Sequence, residues 1–156
     1  MISPPKTISP AAILLVDDNH HGLAARKVLL QQLGHRISIA HSGQEALELF
    51  AQSPFDVVVT DFRMPQMDGG ELIRRIRESE PQARVILLSG FVDPLGLTEE
   101  NTGADVVIAK SAGEVGHLVR AVERLLHRRT PPVTRKRPRS EGPPQSAAAT
   151  GSDGAR

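Results

Sequence analysis

Apolar and polar positions along this chain follow two periods, and the changes from one to the other divide it into segments. Five short apolar runs, at residues 11–16, 37–40, 57–61, 85–88 and 105–109, are rich in Val and Ile and read as strands. Continuous runs of this kind suit strands buried on both faces of a sheet. The segments between them carry apolar residues at helical spacing. Asn19 can cap a helix bearing Leu23, Val28, Leu29, Leu30 and Leu33, which Gly34 stops. Ser42 and Glu45 form a capping-box pattern before Ala46, Leu47, Leu49 and Phe50, and Pro54 closes that helix. A third helix has Leu72, Ile73 and Ile76 on one side and Arg74, Arg75 and Arg77 on the other, up to Pro81. Residues 93–103 make a poor helix, since they contain Pro94, Gly96 and Gly103. The last helix, about residues 113–128, shows Val115, Leu118, Val119, Val122, Leu125 and Leu126 as its apolar face.

Strands alternating with helices predict an α/β fold, a single domain with a parallel sheet covered on both faces and right-handed crossovers. Residues 1–10 read as a flexible lead-in and 11–128 as the domain. Residues 129–156 turn to Pro, Arg, Ser, Ala and Gly without periodicity, and are expected to stay disordered. Charge supports the division. Residues 1–127 hold 12 Lys/Arg against 16 Asp/Glu, whereas 128–156 hold 7 against 2. The run Arg135-Lys136-Arg137-Pro138-Arg139 gives the tail a basic character. Contact with nucleic acid is expected, if at all, only through it. The chain contains no cysteine, which excludes disulfides, thiolate nucleophiles and Cys-ligated metals. Nothing resembles a signal peptide or a membrane span, so a cytoplasmic protein with no membrane insertion is expected.

The chemistry follows from topology. A parallel sheet brings every strand's carboxyl end to one edge, where open α/β sheets bind ligands. Four of the five strands deliver polar groups there: Asp17-Asp18, Asp61, Ser89 and Lys110. Each has a plainer reading alone, Asp17-Asp18 as a turn and helix cap, Lys110 as a surface charge. Their recurrence at successive strand ends argues for a site. Neighbouring carboxylates repel unless a cation intervenes, and an all-oxygen cluster suits Mg²⁺. Lys110 offers a point charge for a phosphate oxygen and Ser89 a hydroxyl donor. Together they suit attack of a carboxylate on a phosphoryl group. His20-His21 read as start-of-helix surface residues. No Gly-rich nucleotide loop is present, and Arg63 stands where an aspartate-nucleophile phosphatase would carry its acid. Turnover of an external substrate is therefore not expected.

Residues 11–128 resemble a response-regulator receiver domain, through Leu14-Leu15-Val16-Asp17-Asp18-Asn19, Asp61-Phe62-Arg63-Met64-Pro65-Gln66-Met67-Asp68-Gly69, Leu87-Leu88-Ser89-Gly90 and Lys110. The resemblance implies a flavodoxin-like sheet of order 2-1-3-4-5. It implies that Asp61 is the phosphoacceptor, served by a histidine kinase or phosphotransfer protein. Asp17, Asp18, Asp61 and the backbone carbonyl of Arg63 would hold Mg²⁺, with Lys110 and Ser89 on the phosphoryl oxygens. The signal would leave by binding an unidentified downstream protein or by phosphate relay. A receiver-like adaptor that ignores phosphorylation is the alternative. Two positions depart from the family. Val107 replaces the usual aromatic, and Ser111 replaces the usual proline, which predicts a trans bond after Lys110.

Overall fold

The computed structural model describes residues 10–90 and 96–127. Residues 1–9 of the expected lead-in, the whole tail expected at 129–156 with its basic run, and the Pro94 start of the weak helix lie outside the described residues. Strands β1 (Ala12–Val16), β2 (Arg36–Ala40), β3 (Val57–Asp61), β4 (Val85–Ser89) and β5 (Val106–Ala109) form one parallel sheet of order β2-β1-β3-β4-β5. Helices α1 (His20–Gln32), α2 (Gly43–Gln52), α3 (Gly69–Ser79), α4 (Glu99–Thr102) and α5 (Glu114–His127) connect and cover it. This is the predicted flavodoxin-like architecture.

Two apolar layers flank the sheet. Ile13 and Leu15, Val57 and Val59, Ile86 and Leu88, and Val106 and Ile108 pack with Leu23 and Leu30 of α1 and Leu118, Val122 and Leu125 of α5. Leu14, Val16, Val58, Val85 and Leu87 pack with Ala46 and Phe50 of α2 and Leu72, Ile73 and Ile76 of α3. Strand side chains alternate faces, so both layers are read off one set of runs.

The helix ends follow local chemistry. Asn19 accepts from the N–H groups of His21 and Gly22. Gly34 (φ 94°) and His35 donate back to Gln31 and Leu30, closing α1 with a left-handed glycine. Ser42 accepts from Glu45 N, but the Glu45 carboxylate reaches His41 N rather than Ser42 N, so the expected box is offset by one residue. The weak helix shrinks to α4, a single turn boxed by Thr98 and Asn101 and ended by Gly103 (φ 77°).

Apolar periodicity misassigned three positions. Val28 and Val115 are 53% exposed and Leu33 is 38% exposed. Arg26, not Val28, occupies the inward phase between Leu23 and Leu30. In α5 the spacing of Leu118, Ala121, Val122 and Leu125 holds, and Val115 lies in the first turn.

The amino ends of the strands are bound together by side chains. Asp56 accepts from Ala12 N at 2.7 Å, tying β3's approach to β1. Arg77 donates to the carbonyls of Gly103, Pro81 and Ala83 and to Asp105, whose carboxylate also accepts from Val85 N. His35 is buried, and its Nδ1 accepts from Ala11 N at 3.2 Å. Burial lowers its pKa from 6.5, partly opposed by Glu123 and Asp56. Its contribution to stability is therefore complete above 6.5 and is lost as the pH falls through the lower folded value. Urea unfolding on either side of pH 6.5 should show this acid loss, and His35→Gln should flatten it.

Candidate phosphoacceptor site

The signature around Asp61 has a structural reason at nearly every position. Asp61 ends β3, and Phe62 N–H bonds to the Leu88 carbonyl, holding the chain on the sheet one residue further. Met64 and Met67 are buried in the α2/α3 layer. Met67 rests against Gly43, where an added Cβ would come within 2.6 Å of its sulfur. Between them Met67 N–H donates to the Pro65 carbonyl across Gln66, whose φ is 70°. Most three-residue turns have a negative φ at the middle residue, so the positive φ of Gln66 marks the rarer, strained form. Asp68 caps α3 by accepting from Glu71 N at 2.8 Å. Gly69 packs against the Asp61 carbonyl, donating its N–H to Phe62 O at 2.7 Å.

The period of two carries past the strand ends. Asp17 follows Ile13 and Leu15, Asp61 follows Val57 and Val59, and Lys110 follows Val106 and Ile108, all on the α1/α5 side. Ser89 follows Val85 and Leu87 and falls on the other side. One carboxylate oxygen from each of Asp17, Asp18 and Asp61 lies within 4.8 Å of the others. Asp17 and Asp61 are buried and Asp18 is exposed.

Lys110 Nζ is 2.8 Å from Asp61 Oδ1 and 3.7 Å from Asp17 Oδ2. Phe62 N–H also donates to Asp61 Oδ1, at 3.0 Å. Even so, burial pushes the Asp61 carboxyl above 3.8; Lys110 pulls it back and Asp17 adds to the rise. Burial of Asp61 beside Asp17 thus disfavours its charged form more than Lys110 and Phe62 favour it. Oxygen-only donors, two of them desolvated, fit a hard divalent cation such as Mg²⁺.

Ser89 is buried at the end of β4, and its carbonyl accepts from Lys110 N at 2.9 Å. Arg63 is exposed and lines an open cleft with Asp18, Phe62, Met64, Pro65 and Asp68. The backbone after Lys110 is trans. Val107 is half-buried against the α2/α3 layer, and its N–H donates to the Glu99 carboxylate of α4 at 3.2 Å. Strand β5 is thereby tied to α4 by its backbone N–H and the Glu99 side chain, with no ring required.

Two residues at this edge were missed from sequence. Arg26 Nη1 donates to Asp17 Oδ2 at 2.9 Å, and its other nitrogens reach Glu114. A charged residue in the inward phase of α1 was the available signal.

Among known proteins, the family model described as "Response regulator receiver domain" matches residues 13–123. The gliding motility regulatory protein of Myxococcus xanthus is 36% identical over 131 residues, covering 78% of this chain and 16% of that protein. Transcriptional regulatory protein AfsQ1 of Streptomyces coelicolor is 32% identical, covering 80% of this chain and 52% of that protein. The chain thus spans about half the length of these curated relatives, or less. Response regulator protein TrrA from Thermotoga maritima, solved in complex with Mg²⁺-BeF, superposes with a TM-score of 0.67 at 31% identity over 74% of this chain and 98% of that one. With the fold, the acidic cluster and these likenesses in agreement, the chain belongs to the response-regulator receiver family of two-component signalling.

Proposed function

We propose that Asp61 is a phosphoacceptor, taking a phosphoryl group from the phosphohistidine of a histidine kinase or phosphotransfer protein. The observation that carries this reading is a buried carboxylate, raised by desolvation, beside two further carboxylates and a lysine 2.8 Å away. Asp61 Oδ1 accepts from Lys110 and Phe62. A carboxylate oxygen of Asp61 is then the attacking atom. The O–P bond forms as the P–N bond breaks, and the imidazole leaves neutral, carrying a proton on its other nitrogen. Asp17, Asp18, Asp61 and the carbonyl of Arg63 would hold Mg²⁺, which would neutralise the phosphoryl oxygens as charge shifts between them. Lys110 would pair with a phosphoryl oxygen, and Ser89 would donate its hydroxyl to another.

Chemistry at this site is limited to self-phosphorylation and its hydrolysis, in the cytoplasm, with output by partner binding or relay. A new dianion gains charge-assisted bonds only where donors move to meet it. With Val107 in place of an aromatic, that movement passes through the backbone of β5 and α4. Acetyl phosphate with Mg²⁺ should add one phosphoryl group to the wild type, seen by intact-mass spectrometry, and none to Asp61→Asn. An unmodified wild type, or an equally modified variant, would sink the reading. Partner capture with a beryllofluoride mimic that matches capture without it would favour the adaptor alternative.

A further inference from the structure

Arg26 lies where α1 should present an apolar residue, with its side chain 10% exposed. Burying a guanidinium is costly unless its N–H groups find acceptors. Here Nη1 donates to Asp17 Oδ2 at 2.9 Å, while Nε and Nη2 both reach Glu114 Oε1, at 2.8 and 2.6 Å. Glu114 opens α5, in the segment that follows Lys110. Lys110 Nζ is itself 3.7 Å from the same Asp17 oxygen. Gly22 makes room for the arrangement: a Cβ there would lie 3.0 Å from Arg26 Nη1 and 3.3 Å from Asp17 Oδ2. The other Asp17 oxygen accepts from Asn19 N at 2.9 Å. Asp17 therefore meets protein donors on both oxygens.

We propose that Arg26 is a positioning residue that competes with Mg²⁺ for Asp17, and that Glu114 moderates the competition by sharing the guanidinium. The proposal rests on the phosphoacceptor reading. A guanidinium does not lose its proton, so the competing charge is permanent rather than switched by pH. Its effect on the metal depends on how much of it Glu114 offsets. Because the coupling is reciprocal, Mg²⁺ in the pocket weakens the hold of Asp17 on Arg26 and transfers the guanidinium toward Glu114. The start of α5 thereby reports metal occupancy through one side chain.

A purely structural Arg26, clamping α1 to α5, predicts something different. Loss of either partner would lower stability and leave metal affinity alone. Titration of MgCl₂ into the full chain, followed by calorimetry, separates the two. Arg26→Met keeps the length of the stem and removes the charge, so the Mg²⁺ Kd should fall about tenfold, within the usual range for coupled sites. Glu114→Gln keeps the shape and removes the offset, so the Kd should rise about threefold. Both variants should melt lower than wild type in metal-free buffer, so stability moves them together while affinity moves them apart. Affinities unchanged, or shifted in one direction, overturn the proposal. Should Arg26→Met fail to fold, Glu114→Gln decides alone, and an unchanged or lower Kd overturns it. A wild type that binds no Mg²⁺ removes both this proposal and the phosphoacceptor reading. A wild type that binds, with variants that do not differ from it, removes only this one.

Discussion

Gly69→Ala should destabilise the fold by about 2–3 kcal/mol, the cost usual for forcing an extra carbon into a packed core. The added Cβ would collide with the Asp61 carbonyl oxygen and come within 2.8 Å of Leu87 Cδ1 and 3.0 Å of Phe62 Cα. Two of those atoms are backbone on the strand end that carries Asp61, so no side-chain rotation relieves them. The glycine is required here by space, since its φ is not in the left-handed region. Thr60 Oγ1 also donates to the Asp61 carbonyl, at 2.9 Å, so displacement of that oxygen spreads along β3. Urea unfolding gives the stability change, and the yield of acetyl-phosphate adduct should fall with it. Gly70→Ala is the matched control. Its Cβ meets Asp68 Oδ1, the capping oxygen of α3, at 3.3 Å and the Phe62 ring at 3.5 Å, both side-chain atoms that a shift of a few tenths of an ångström accommodates, and alanine favours the helix. Stability within about 0.5 kcal/mol of wild type is expected there.

The second large effect is a gain. Asp61→Asn should stabilise the metal-free protein at neutral pH, on the order of 1 kcal/mol net of its lost contact with Lys110. Desolvation holds the folded carboxyl above 3.8, so the folded protein favours the protonated form. A raised acid contributes stability that is complete below the unfolded value and is lost as the pH rises through the folded one. The advantage of the variant should therefore be absent below pH 3.8 and grow toward neutrality. Added Mg²⁺ should narrow it, because the wild type alone keeps the full set of three carboxylates. Paired thermal melts across pH, with and without the metal, measure each part. A variant less stable than wild type at neutral pH would show that the Lys110 contact outweighs the burial of charge.

Much of this was legible because several local signals agreed. The strand runs are β-branched and continuous and their ends carry the charges, while the sheet order was implied by the resemblance to the receiver family. The same alternation that buries Ile13 and Leu15 also points Asp17 toward α1, so fold and site were read from one pattern. The failures have equally local causes. Val28 was counted among the apolar positions at helical spacing, although its phase on α1 faces solvent. Arg26 was passed over because a charged residue lowers the apolar score of the face it occupies. Its burial depends on Asp17 and Glu114, the latter 88 residues away, and helical periodicity cannot see such a partner. Glu45 satisfied the spacing of a capping box yet bonded one residue earlier, since His41 N–H lay within reach of its side chain.

The staples at the amino ends of the strands give the domain a mechanical polarity. Arg77 and Asp105 tie the entries of β4 and β5 to the end of α3, and Asp56 ties β3's approach to β1. The opposite edge gathers negative charge. Local opening is then expected to come more readily at the edge where the carboxylates repel than at the stapled one, and amide hydrogen exchange along the strands would measure the difference. The sheet behaves as a set of levers sharing one fixed fulcrum. A charge placed on Asp61 would act at the ends opposite the anchorage at Arg77.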